Sequence, residues 1–133
     1  MKSYKNHPRY IKIADYICEL IMLKILPVEE RIPSVRRLAS MLKANGNTVI
    51  RSYHFLADKN IIYRQRGKGY QVRACAPQYV RTYLTEKYYQ RTLPDIFQTI
   101  YLLNISMNEI RERYQQFVQD HQDIILDQNK FQS

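Results

Sequence analysis

The most chemically informative segment of this sequence lies near residue 50, where polar side chains recur along one side of a predicted helix. At 100° per residue, three side chains that suit base edges fall together on this side, namely Asn47, Arg51 and His54. The opposite side is apolar and consists of Val49, Tyr53 and Leu56. An arginine can donate two parallel hydrogen bonds to guanine, and an asparagine amide can pair with adenine. Because any surface helix turns polar residues outward, this interpretation needs support from other segments.

Neighbouring segments add groups that suit the phosphate backbone of DNA. Ser34 and Arg36 begin a short predicted helix, where a side chain can approach phosphate. Thr48 adds a hydroxyl at the start of the next helix, where we expect free backbone amides to favour an anion. The predicted DNA-binding residues are Ser34, Arg36, Asn45, Asn47, Thr48, Arg51, His54, Arg64, Arg66, Gly67, Lys68 and Gly69.

Three helices are predicted to position these groups. The first spans residues 9–24 with one apolar stripe, and Pro27 is expected to end it. Ser34 is expected to cap the second helix by accepting from its first free amides. Residues 43–47 contain Asn and Gly and predict a tight turn, after which a third helix spans residues 47–59. Two short helices joined by such a turn form a helix-turn-helix.

A β-hairpin is predicted after the third helix. Residues 61–66 and 70–73 are rich in β-branched and aromatic side chains, and Gly67-Lys68-Gly69 separates them. Glycine tolerates the positive φ that a tight hairpin loop requires. With arginines on its strands and a lysine at its tip, this hairpin is interpreted as a wing. The predicted fold class is α+β and mostly α, with a winged helix-turn-helix domain at residues 1–75.

The remaining residues, 76–133, are predicted to form a helical tail that joins two copies of the chain. Ser106 and Glu109 have the spacing of a capping box, and the polar residues 127–133 are expected to fray. Apolar side chains recur at helical spacing in excess of what so short a segment can bury, which favours a homodimer. The predicted interface comprises Tyr83, Leu84, Ile96, Phe97, Ile100, Leu103, Ile110 and Tyr114.

The formal net charge of +9 is concentrated in one half of the chain. Residues 1–74 carry 15 Lys and Arg against 5 Asp and Glu, whereas residues 75–133 carry 6 against 7. Such asymmetry favours a polyanionic partner for the first half. A membrane surface would call for aromatic anchors on a basic helix, and the chain has no Trp. Double-stranded DNA is therefore the predicted partner.

Other classes of protein find little support in the sequence. It has no phosphate-binding loop, paired His-Glu metal motif or nucleophile elbow, so we expect no enzyme, no metal and no cofactor. Cys18 and Cys75 do not suggest a disulfide framework, and Cys18 is expected to be buried. The N-terminal residues are polar and no apolar run approaches roughly 18 residues, which predicts a cytoplasmic chain. No motif identifies a small-molecule effector.

Residues 8–73 resemble the DNA-binding domain of the GntR family of bacterial regulators. The matching elements include Ile32-Pro33-Ser34-Val35-Arg36, Asn47-Thr48-Val49 and Arg66-Gly67-Lys68-Gly69. This resemblance implies a winged-helix fold, binding to inverted-repeat operators as a dimer, and usually repression. The short C-terminal half resembles that of the YtrA-like subfamily, whose two-helix tail serves dimerisation.

Two positions depart from the family pattern. The family commonly has basic residues where this chain has Gly46 and Ile50. We therefore expect base recognition to rest on Asn45, Asn47, Arg51 and His54, with an unusual operator. An alternative interpretation is a winged-helix module that binds protein or RNA and has lost operator recognition.

Overall fold

The computed structural model describes residues 7–122, and within them the chain forms six α-helices, two β-strands and one π-helical turn. In chain order these are α1 (Arg9–Met22), α2 (Val35–Leu42), α3 (Gly46–Asp58), β1 (Ile62–Gln65), β2 (Gly69–Val72), α4 (Ala76–Lys87), the π-helical turn (Tyr88–Thr92), α5 (Leu93–Leu102) and α6 (Met107–Asp120). The predicted fold class, mostly α with a small antiparallel sheet, is confirmed. The chain divides into two compact units, residues 1–92 and 93–133, which are described separately.

The core of the first unit forms where α1 packs on α3 and α3 packs on α2 and β1. The predicted apolar side of α3 is buried, as is Cys18. Burial raises the pKa of the Cys18 thiol to about 12, so this thiol stays protonated near neutral pH. The fully buried aliphatic residues include Ile17, Ile21, Val49, Leu56, Ile61, Ile62, Val72 and Val80.

The end of α1 differs from the sequence prediction. The helix ends at Met22, and Lys24 adopts a positive φ of 61°. Backbone amides of residues 25 and 26 both donate to the carbonyl of Leu20, which turns the chain before Pro27 is reached. The expectation that Pro27 ends the helix was therefore wrong, since a left-handed lysine already does so.

The connection between α2 and α3 also has a different geometry from the predicted one. Lys43 adopts the left-handed conformation (φ 52°, ψ 45°) and makes the turn, a role that the sequence analysis gave to the Asn and Gly of residues 45–47. Helix α3 begins at Gly46, one residue earlier than predicted, because Asn45 acts as its N-cap. The predicted cap of α2 is confirmed, since Ser34 Oγ accepts from the amide of Arg37 at 3.1 Å.

The wing is an antiparallel pair in which Ile62 lies opposite Val72 and Gln65 opposite Gly69. Gly67 and Gly69 have positive φ values of 78° and 70°, as the hairpin prediction requires. Residues 29–32 anchor the outer side of β2. The amide of Ile32 donates to the carbonyl of Tyr70 at 3.0 Å, and the amide of Val72 donates to the carbonyl of Glu30 at 3.0 Å.

Helix α4 packs on α1 as part of the first compact unit. Val80 is fully buried, and the hydroxyl of Tyr83 donates to Asp15 Oδ1 at 2.7 Å. Lys87 forms an ion pair with the same carboxylate. Burial is the main cause that raises the pKa of Tyr83, and the hydrogen bond to Asp15 is the second. The first compact unit therefore extends to residue 92, beyond the predicted domain boundary at residue 75.

The second unit contains α5 and α6, neither of which has a buried residue. Ser106 caps α6 by accepting from the amide of Glu109 at 3.1 Å, which confirms the predicted cap. The prediction that residues 127–133 fray lies outside the described residues, as does most of the polar N-terminal segment. None of the helices in residues 7–122 is both long enough and apolar enough to cross a membrane.

Candidate DNA-binding surface

Tyr53 connects the three segments that carry the candidate residues. Its ring is buried on the inner side of α3, and its hydroxyl donates to the carbonyl of Pro33, just before α2, at 2.6 Å. The ring also packs edge-on against Tyr70 of β2, with centroids 5.2 Å apart. Burial, with a smaller contribution from Tyr70, raises the pKa of Tyr53, so the hydroxyl remains a donor. One side chain thus sets the positions of α2, α3 and the wing.

The start of α2 presents the first polar group of the surface. Ser34 and Arg36 are both exposed, as predicted. Because Ser34 Oγ accepts from a helix amide, its hydroxyl hydrogen stays available to an external acceptor such as a phosphate oxygen. At the other end of α2, the guanidinium of Arg9 in α1 donates to the carbonyl of Leu42 at 3.1 Å and so fixes this end to α1.

The start of α3 is already occupied by internal hydrogen bonds. Asn45 Oδ1 accepts from the amide of Asn47 at 2.8 Å, and the Asn45 carbonyl accepts from the amide of Thr48 at 3.0 Å. The expectation of free amides beside Thr48 was therefore wrong. Asn45 uses its oxygen as a helix cap, which leaves only its side-chain NH₂ group to donate outward. Asn47 is exposed and Thr48 is half-buried.

Arg51 and His54 are exposed on the outer side of α3, as the helical spacing predicts. The guanidinium carbon of Arg51 lies 4.0 Å from the centroid of the Tyr10 ring. Stacking on an aromatic face restrains the guanidinium and contributes about 0.5–1 kcal/mol at an exposed site. Beneath it, the hydroxyl of Ser52 lies 2.7 Å from the Tyr10 carbonyl, which fixes α3 on α1. Tyr10 thus supports the exposed guanidinium of Arg51 on the outer side of α3.

The wing carries its cations outward. Arg64 lies on β1, and Arg66 and Lys68 lie in the loop that joins the strands, where all three are exposed. The amide of Lys68 donates to the Gln65 carbonyl at 2.9 Å, which closes this loop. The predicted wing residues are therefore found at the edge and tip of the hairpin.

A groove of about 300 Å³ brings the three segments together. Its lining includes Ser34 from the start of α2, His54 from α3 and Arg64 from the wing. The same groove is lined by Arg31 and Ile50, which were not among the predicted DNA-binding residues. A concave surface with cations and a hydroxyl at its margin matches the chemistry of a nucleic-acid backbone and its exposed base edges.

Arg31 is the cationic residue that the sequence analysis missed. A Cβ atom at Gly69 would lie 3.3 Å from Arg31 Nε, so the guanidinium lies directly against the backbone of β2. Because Arg31 is separated from the wing by helices α2 and α3 along the chain, no local spacing connects it to Arg64. The only clue in the sequence was its position immediately before the family motif that begins at Ile32.

The predicted dimer-interface residues fall in two environments. Tyr83 and Leu84 lie on α4 and are partly buried against the core of the first unit. Five of the six others lie on α5 and α6, and Leu103 lies in the connection between these helices. Phe97, Leu103 and Tyr114 are exposed, and Ile96, Ile100 and Ile110 are half-buried.

The helices, the wing and the groove define a winged helix-turn-helix DNA-binding module. Residues 9–72 match the profile of the bacterial regulatory proteins of the gntR family. A crystal structure of a putative GntR-family transcriptional regulator from Bacteroides thetaiotaomicron is 37% identical, with a TM-score of 0.70, and the alignment covers 85% of this chain and 98% of that one. The chain belongs to the GntR family of transcription regulators.

Two curated relatives from Bacillus subtilis (strain 168) are similar over the same module. The HTH-type transcriptional repressor YtrA is 39% identical over 62 residues, which is 47% of this chain and 48% of that protein. The uncharacterized HTH-type transcriptional regulator YhcF is 36% identical over 64 residues, which is 48% of this chain and 53% of that protein. This chain spans about half the length of the curated relatives it matches.

Proposed function

We propose that this chain is a sequence-specific transcription regulator that binds an inverted-repeat operator as a homodimer and represses transcription. The observation that carries the proposal is the groove in which Ser34, His54 and Arg64 meet. The concentration of positive charge in residues 1–74 supports it, since phosphate contacts supply much of the affinity for DNA. Similarity to a protein described as a repressor supports the direction of regulation. A chromosomal ligand implies a cytoplasmic location.

Exposed apolar side chains on α5 and α6 support the homodimer. A large exposed apolar area usually marks an interface. The large exposed residues of these helices and their connection are Phe97, Tyr101, Leu102, Leu103, Met107, Tyr114 and Phe117. In a dimer with two-fold symmetry, the two α3 helices face two half-sites of opposite orientation, which matches an inverted repeat.

Operator recognition is tested by selecting bound sequences from a randomised duplex pool and then comparing variants at one salt concentration. Arg51→Ala removes an exposed side chain, so the melting temperature should fall only slightly. If Arg51 reads a guanine, affinity for the selected operator should fall by about 1–3 kcal/mol, with a smaller loss on random DNA.

Arg81→Ala is the matched control, because Arg81 is also exposed but lies on α4, a helix that carries none of the candidate DNA-binding residues. It should change operator affinity less than twofold. Equal losses for Arg51→Ala on operator and random DNA would restrict Arg51 to phosphate contact. Failure to enrich any sequence would contradict the proposal and favour a module that binds protein or RNA.

A further inference from the structure

Ile50 is an apolar residue placed among the polar residues of the DNA-binding surface. Its side chain is 40% exposed, whereas the preceding residue, Val49, is fully buried. On a helix Ile50 lies roughly 40–60° from His54 and Asn47 and roughly 100° from Val49. Ile50 is therefore oriented towards the exposed side of α3.

The groove gives independent evidence for this orientation. Ile50 lines the same groove as Ser34, His54 and Arg64, which come from three different elements. Ile50 therefore lies where the start of α2, the outer side of α3 and the wing meet. DNA that contacts Ser34 and Arg64 across this groove would also cover Ile50.

We propose that Ile50 contacts the 5-methyl group of a thymine in each half-site of the operator, an inference that rests on the proposed function. An isoleucine side chain has no hydrogen-bond donor or acceptor, so it cannot read the polar pattern of a base edge. The thymine methyl is the apolar group that base pairs present in the major groove. Contact between the two side groups removes apolar surface of both from water. Ile50 thereby supplies specificity for a T·A pair.

The proposal is tested by replacing each thymine of the selected operator with uracil, one position of the half-site at a time. Uracil lacks only the 5-methyl group and keeps every hydrogen bond. For the unmodified protein, uracil at one position of the half-site should lower the affinity for the operator. The affinity should fall roughly fourfold when one half-site is changed and roughly 15-fold when both are, as expected for one buried methyl group in each half-site. Ile50→Ala should bind the thymine and uracil versions of that operator within twofold of each other.

Ile25→Ala provides the matched control, because Ile25 is exposed after α1 and does not line the groove. It should retain the full discrimination between thymine and uracil. If no uracil position weakens binding, or if Ile50→Ala discriminates as strongly as the unmodified protein, the inference is overturned while operator binding stands. A chain that enriches no DNA sequence would overturn the inference together with the proposed function. Ile50→Val, which keeps the branched side chain, should retain more discrimination than Ile50→Ala.

Discussion

The two compact units differ in how they use their apolar side chains. In the first unit, α1, α3, the wing and α4 bury an apolar core that includes Ile17, Leu56 and Val80. In the second unit, α5 and α6 bury none of their residues, and Tyr101 is 84% exposed. Both units nevertheless have the apolar periodicity of packed helices. Periodicity therefore identifies the apolar side of a helix, and it does not show whether that side is buried within the same compact unit.

The two units also differ in which surfaces they contribute. The first unit contains the elements that form the groove and the internal hydrogen bonds that hold them, such as that from Tyr53 to Pro33. Its geometry is set by its own packing. The second unit leaves apolar surface exposed, and removing such surface from water is favourable. On the proposed function, the same unit of a second copy covers that surface.

The largest expected effect comes from a core truncation in the first unit. Leu56→Ala removes a fully buried side chain of α3 and should lower the free energy of unfolding by about 2–5 kcal/mol. Hydrogen exchange of the α3 amides measures this loss. Leu102→Ala makes the same chemical change at a position of α5 that is 70% exposed, and it should change α3 protection by no more than about 0.5 kcal/mol. Equal losses for both variants would remove the distinction between the units.

The second effect concerns self-association. Phe97→Glu places a charge within the exposed apolar surface of α5, and a charge buried in an interface without a partner is costly. On the proposed function, the free energy of dimerisation should become less favourable by about 2–3 kcal/mol, which raises the dimer dissociation constant roughly 30- to 150-fold. Sedimentation over a range of concentrations measures the change. Gln98→Glu adds the same charge at an adjacent exposed polar residue and should have a much smaller effect.

The smallest expected effect is that of Phe97→Glu on the first unit itself. Both cysteines of the chain lie in that unit, and Cys18 is buried whereas Cys75 is exposed. A thiol reagent at pH 8 should label Cys75 at once and Cys18 only as fast as the core opens. Phe97→Glu should leave the Cys18 rate within about twofold, since exposed substitutions shift stability little. Rapid labelling of Cys18 in this variant would show that the first unit depends on α5.

Local sequence rules predicted much of the structure within both units. The apolar stripes, the Ser34 and Ser106 caps and the glycine-closed hairpin depend on residues close together in the chain, and the structure has each of them. The turn before α3 was harder to predict. Asn is common both in turns and at helix caps, and the left-handed residue was Lys43, a type that rarely adopts this conformation.

One missed feature is local, because the amide of Thr48 donates to the Asn45 carbonyl once α3 begins at Gly46. The others depend on tertiary contacts. Arg31 reaches the groove because its strand-like segment pairs with β2. The assignment of α4 to the first unit rests on Asp15, an α1 carboxylate that accepts from Tyr83. No rule based on neighbouring residues connects Arg31 with β2 or Asp15 with Tyr83.

The most direct test of the account is the number of chains bound to one selected operator. Sedimentation of labelled duplexes should show two chains on an inverted repeat, with no populated one-chain complex, because on the proposed function α5 and α6 join the two reading surfaces. For Phe97→Glu, a one-chain complex should appear and the affinity for the full repeat should fall at least about tenfold. A saturated complex with one chain per duplex would contradict the account. So would unchanged binding of the repeat by Phe97→Glu.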